Sequence, residues 1–163
     1  MAFAGAATAR TNSLTLPAKQ AALLSAALRH ARDAEHLLEA GAGYTSPDQA
    51  YHLAGYGPEC ARKATLSIRW LDQAVGHGAE ASAGDILELA MSLDPLARRY
   101  DPLADPARWP TLARWRVEAR YERTGKFDRV QAEALCREAR EAVDAVAVAL
   151  WADGRIPDGE TPW

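Results

Sequence analysis

His52, Tyr56, Glu59 and Lys63 recur at intervals of four, three and four residues, so a helix over this segment sets an imidazole, a phenol, a carboxylate and an amine in one line. An imidazole can take or give a proton near neutral pH, and Glu59 stands four residues before Lys63, the favourable order for a helical ion pair. Such a strip serves either as a solvated polar face or as a surface turned toward a partner or ligand. A second group lies downstream: Arg114, Arg116, Arg120, Arg123, Lys126 and Arg129 fall within sixteen residues, interleaved with Trp115, Tyr121 and Phe127. Guanidinium groups beside aromatic rings can pair with phosphates and stack on bases, which makes Arg116, Arg120 and Tyr121 candidate contact residues. The nearby Glu118, Glu122 and Asp128 offer other uses: internal salt bridges with aromatic packing, or a protein partner.

Other chemistries find no support. No glycine-rich phosphate loop follows a strand, and no cluster of His, Cys, Asp or Glu has metal-ligand spacing, so no metal and no cofactor is expected. Cys60 and Cys136 stand far apart and read as buried free thiols. Trp70, Trp109, Trp115 and Trp151 read as core or interface anchors in a chain poor in Phe and Ile. A net charge of −3 gives no general attraction to nucleic acid or anionic membrane. No apolar run approaches the roughly 20 residues that span a bilayer, and the first residues lack the basic and Leu-rich regions of a signal peptide. A soluble, cytoplasmic protein is the expectation.

The elements that position these groups are helical. Abundant Ala, Leu, Arg and Glu favour an all-α domain, and 163 residues suit one core. Thr15 and Pro17 open a first helix that stops at Gly41. Ser46, Pro47 and Gln49 open a second with an N-cap, an N1 proline and a capping-box residue, running to about Val75 before the Gly76-His77-Gly78 break. Gly55, Gly57 and Pro58 oppose that helix; Ala50, Ala54, Gly57, Ala61 and Ala64 form a seam of small residues whose close packing offsets them, with a kink or widening expected at Pro58. Ile86, Leu89, Ala90 and Leu93 stripe a third helix up to Pro95. After a corner at Pro102, Pro106 and Pro110, Thr111 caps a short helix over "LARWRVEARY", and Asp128 with Gln131 opens a last helix to about Ala152. Leu135, Ala139, Ala142, Val143, Val146, Ala149 and Leu150 form its apolar face. The expected architecture is an up-and-down bundle of four main helices plus one short one over residues 17–154, between a flexible tail at 1–16 and a surface tail at 155–163.

The run "AYHLAGYGPECARKATL" resembles the second-helix signature of HEPN domains, small prokaryotic helical bundles, in Ala50, Ala54, Gly55, Tyr56, Glu59, Cys60 and Lys63. "RWRVEARY", "TGKFD" and the long helix after them resemble the later part of that family, so the likeness extends over roughly residues 18–153; residues 76–110 fit by helix count alone. The resemblance implies one of two functions. Many HEPN domains are metal-independent RNases that dimerise to face an Arg, four to six intervening residues and a His from each chain. Others lack that motif and bind partners or nucleotides, often beside a small nucleotidyltransferase. Here the positions after Arg120 where the His would stand hold Gly125, Lys126 and Phe127, and the formal match of Arg29 with His36 falls on the first helix. The resemblance therefore implies a non-catalytic interaction module, expected as a homodimer in a defence, toxin–antitoxin or related system, binding a protein partner and RNA or a nucleotide. A divergent RNase using Arg120 with His52, Glu59 or Lys63 is the alternative, and a structural adaptor without nucleic-acid or nucleotide binding is the third.

Overall fold

A computed structural model describes residues 15–41, 43–67 and 83–156. Those residues form five α-helices, α1 (Ala18–His36), α2 (Pro47–Thr65), α3 (Ala83–Leu93), α4 (Pro95–Tyr100) and α5 (Arg129–Ala152), with three 3-10 turns at Pro102–Ala104, Leu112–Arg114 and Val117–Tyr121. No strand occurs among them, and the all-helical bundle read from composition is what the chain forms. The tails at 1–14 and 157–163, Trp70, and the Gly76-His77-Gly78 break lie outside the described residues.

The core is a three-way contact of α1, α2 and α5. Gln20 at the start of α1 donates to the Leu66 carbonyl just past α2, while Ser46 N–H donates to the Leu37 carbonyl at the other end, so α1 and α2 run antiparallel. Cys136 Sγ lies 3.9 Å from the Ala50 carbonyl, and Val143 meets Gly57 one to two turns on, so α5 runs alongside α2 in the same direction. The seam of small residues makes this approach geometrically feasible: Ala50, Ala54, Ala61 and Ala64 are fully buried, and a Cβ on Gly57 would stand 3.2 Å from the Ala27 carbonyl and 3.3 Å from Val143 Cγ2. α2 continues through a buried Pro58. Two of the expected caps formed: Ser46 Oγ accepts from Gln49 N–H, though Ser46 N–H goes to the Leu37 carbonyl and not back to Gln49, and Asp128 and Gln131 form a reciprocal capping box on α5. Of the α5 apolar face, all but the half-buried Ala149 are fully buried.

Several expectations need correction. α1 ends at His36, five residues before Gly41, because Leu37 and Leu38 close the helix onto earlier carbonyls and Gly41 supplies the left-handed turn (φ 97°) that follows. α2 ends at Thr65 rather than near Val75: Leu66 is extended and fully buried, and Asp94 takes the Ser67 N–H. In α3 the buried face is Leu87, Ala90 and Met91, leaving Leu89 and Leu93 half exposed; Glu88 bound to Arg62 and a buried Asp94 fix that rotation. Pro95 starts the short helix α4, whose first N–H groups are capped by Asp94, whereas "LARWRVEARY" is two 3-10 turns. There Thr111 makes no cap; buried Glu138 of α5 accepts from the Thr111 and Leu112 N–H groups at 2.7 and 2.8 Å, and Trp115 and Arg116 are extended. Arg155 and Ile156, read as the start of a surface tail, pack on the bundle: Leu16 N–H donates to the Arg155 carbonyl and Ile156 is buried.

Among the tryptophans, Trp109 is buried in the core, Trp115 is half-buried and Trp151 is 45% exposed. Both cysteines are free, and burial pushes the Cys60 thiol up and the Cys136 thiol to about 12, which leaves neither as a thiolate at neutral pH.

Candidate functional site

One turn of α2 organises the candidate face. Gly55 has no side chain because the indole of Trp115 lies against that spot; a Cβ there would fall inside the ring system. Three devices deliver the indole: Glu138 holds the start of the first 3-10 turn, the extended Trp115–Arg116 pair carries the chain back toward α2, and Asp48 at the start of α2 accepts from the Gly125 and Phe127 N–H groups at 2.7 and 2.9 Å. Those two hydrogen bonds hold the Asp48 carboxyl below its usual range, and Phe127 stacks on Tyr51 with ring centres 3.8 Å apart. The segment carrying Trp115, Arg120 and Tyr121 is thus fastened to α2 and α5 on both sides.

Tyr56 sits at the centre of the resulting ring cluster. His52 meets it edge-on at 4.8 Å, Trp115 at 5.6 Å and His30 of α1 at 5.9 Å, and His52 lies 6.4 Å from Trp115. Nδ1 of His30, Nδ1 of His52 and Nε1 of Trp115 are all buried with no hydrogen-bond partner. A neutral imidazole can leave an unprotonated Nδ1 there and carry its proton on Nε2, whereas an imidazolium would bury an unanswered N–H. Both histidines are accordingly held below the ordinary histidine pKa: His30 by burial and then Arg29, against the pull of Asp33 and Glu59, and His52 by burial and then Arg120.

Of the sequence candidates, His52, Tyr56, Arg120 and Tyr121 come together. Arg120 reaches toward the Tyr56 hydroxyl at 3.5 Å, and its guanidinium lies 4.6 Å over the exposed Tyr121 ring. Glu59 and Lys63 continue the stripe as a 2.6 Å ion pair, but Lys63 is buried, so this end is not a freely solvated face. Arg116 spends its Nη1 on the carbonyls of Ala113 and Trp115, bracing its own segment. The cations of the cluster are not neutralised by their acidic neighbours: among the described residues no ion pair joins Glu118, Glu122 or Asp128 to them, and Arg129 instead pairs with Glu133. His36, the partner in the formal Arg29 match, is exposed and bound to Glu39 at 2.9 Å.

Sequence reasoning missed His30 as a member of the face. Its position was recoverable: it follows Ala27 and Leu28 and precedes Ala31 on the buried side of α1, one step off the seam that α2 must meet. No group of His, Cys, Asp and Glu among the described residues is arranged to hold a metal ion, and none of their helices is long and apolar enough to cross a membrane. The face offers two neutral imidazoles, a phenol, flat ring surfaces and unpaired guanidinium groups, which suit proton acceptance, stacking and contact with anions. No family model, no curated protein and no solved structure matches the chain.

Proposed function

We propose that the chain is a non-catalytic interaction module of HEPN type, serving a prokaryotic defence, toxin–antitoxin or related system as a cytoplasmic homodimer. Its binding face is the surface of α2 and the 3-10 segment that carries His52, Tyr56, Trp115, Arg120 and Tyr121. The observation that carries this reading is the pairing of a ring cluster with guanidinium groups that no carboxylate of their own segment neutralises. Rings and guanidinium groups in that arrangement receive single-stranded RNA or a nucleotide, and equally the acidic surface of a protein such as a nucleotidyltransferase.

A second reading, a metal-independent RNase, is favoured by one specific observation: His30 and His52 flank the same phenol as imidazoles kept neutral, and Arg120 stands beside them. A neutral imidazole can act as general base and a guanidinium can hold charge developing on a phosphate. Incubating the protein with cellular RNA, with and without a chelator, separates the readings when run beside Arg120→Ala and His52→Gln. The module reading expects intact RNA and a retarded complex that Arg120→Ala weakens. Chelator-resistant cleavage that disappears in His52→Gln would replace it with the nuclease, and neither retardation nor cleavage would leave a structural adaptor.

A further inference from the structure

We propose that the hollow between α2, the Leu112–Arg114 turn and the first turns of α5 is a binding site for a small organic acid, a carboxylate carried on an apolar body. The inference stands apart from the ring-and-cation face, none of whose residues lines this hollow.

The hollow, half open to solvent, has a volume of about 300 Å³ and is lined by Tyr51, Thr111, Arg114, Val130, Gln131 and Ala134. That volume is at the lower end of small-molecule sites. Its polar lining consists of groups able to donate: a phenol, a hydroxyl, a guanidinium and an amide, and no carboxylate lines it. Among the described residues the Arg114 guanidinium and the hydroxyls of Tyr51 and Thr111 have no partner, and Gln131 spends only its side-chain oxygen, on the Asp128 N–H. Two carboxylates bond to the backbone of lining residues: Glu138 accepts the Thr111 and Leu112 N–H groups, and Asp128 accepts the Gln131 N–H. Tyr51 and Arg114 line the same space; burial pushes the phenol up, Arg114 acts against that and Glu138 adds to it.

Part of the lining is held in place: Tyr51 stacks on Phe127, the Thr111 backbone is tied to Glu138, and Gln131 is fixed in the capping box, while the exposed Arg114 side chain supplies the charge. Donors held in place before a ligand arrives lose little on binding. Beside them on α5, Val130 is 74% exposed and Ala134 is half-buried, and both line the hollow as apolar surface. A carboxylate on Arg114 with a hydrocarbon body against Val130 and Ala134 satisfies both halves, whereas a bare inorganic anion uses only the first.

The probe is 3-phenylpropionate, titrated into the isotope-labelled full chain to about 10 mM while amide shifts are followed, with 3-phenylpropionamide and inorganic phosphate as matched controls. The acid should shift the amides of Thr111, Leu112, Arg114 and Gln131 along a saturating curve. The amide and phosphate should each bind roughly tenfold more weakly or worse. Arg114→Gln, an exposed change, should weaken the acid by a similar factor, and Tyr51→Phe, which keeps the stack, should weaken it by less. Equal binding of acid and amide, equal binding of phosphate, shifts confined to other residues, or an unaltered response in Arg114→Gln would each overturn the proposal.

Discussion

Gly55→Ala should destabilise the protein, although the same change in a helix interior normally stabilises by about 1 kcal/mol. The methyl group would land within the Trp115 indole, so the ring must leave its place or α2 must shift. Overpacking of this kind costs about 1–3 kcal/mol, which against the propensity gain leaves a net loss of about 0–2 kcal/mol. A single variant cannot resolve so small a balance, but a double-mutant cycle can. In a Trp115→Ala background the notch is empty and Gly55→Ala should become stabilising by about 1 kcal/mol, so the coupling between the two sites is about 1–3 kcal/mol. Urea unfolding followed by far-UV circular dichroism measures all four proteins without depending on a tryptophan signal. If Gly55→Ala stabilises both backgrounds equally, Trp115 does not occupy the notch and the ring cluster built on it is wrong.

Acidification should weaken the fold through His30 and His52. Both have folded-state pKa values below the 6.5 of the free side chain, so the unfolded chain binds the extra protons first and stability falls as pH drops through and below 6.5. A His30→Gln/His52→Gln variant should show a flatter urea midpoint over that range, while the depressed carboxyls of Asp48 and Glu88 add their own loss only at lower pH. Arg62→Ala should cost about 3 kcal/mol by urea unfolding, the low end for a broken buried pair, because the Asp101 side chain is 13% exposed and Glu88 can return to water. Asp48→Ala should cost about 1–2 kcal/mol and expose the Arg123–Lys126 loop to trypsin, and an uncut loop would show that Asp48 does not hold it.

Termini and periodicities were legible in the sequence because they depend on neighbours a few residues apart. Ser46–Gln49 and Asp128–Gln131 capped as their spacing requires, and the α5 stripe went inward almost entire. What escaped depends on residues far along the chain. Nothing near Thr111 indicates that Glu138 will cap its N–H, so ten residues with helical composition became two 3-10 turns. Leu89 and Leu93 have ideal spacing, yet Arg62 drawing Glu88 and the burial of Asp94 turn α3 so that Met91 goes in instead. The candidate face was half legible: the α2 stripe follows from spacing, but Trp115 and His30 join it only through tertiary packing.

The two glycines and the proline in the middle of α2 tie these observations together. Relative to Ala they cost a helix about 1, 1 and 3 kcal/mol, a concentrated violation of helix propensity in a segment capped to be helical. Packing accounts for Gly57, whose bare Cα lets the Ala27 carbonyl and Val143 come close. Gly55 differs, because the three atoms nearest to a Cβ there all belong to the Trp115 indole. Gly55 serves only to admit Trp115, and Trp115 in turn completes the ring cluster around Tyr56 and leaves its own N–H unsatisfied. The return for Gly55 is the seat of Trp115, which packs on the core cluster of Ala50 and Ala54, and the same turn of α2 carries His52, Tyr56 and the contact with Arg120.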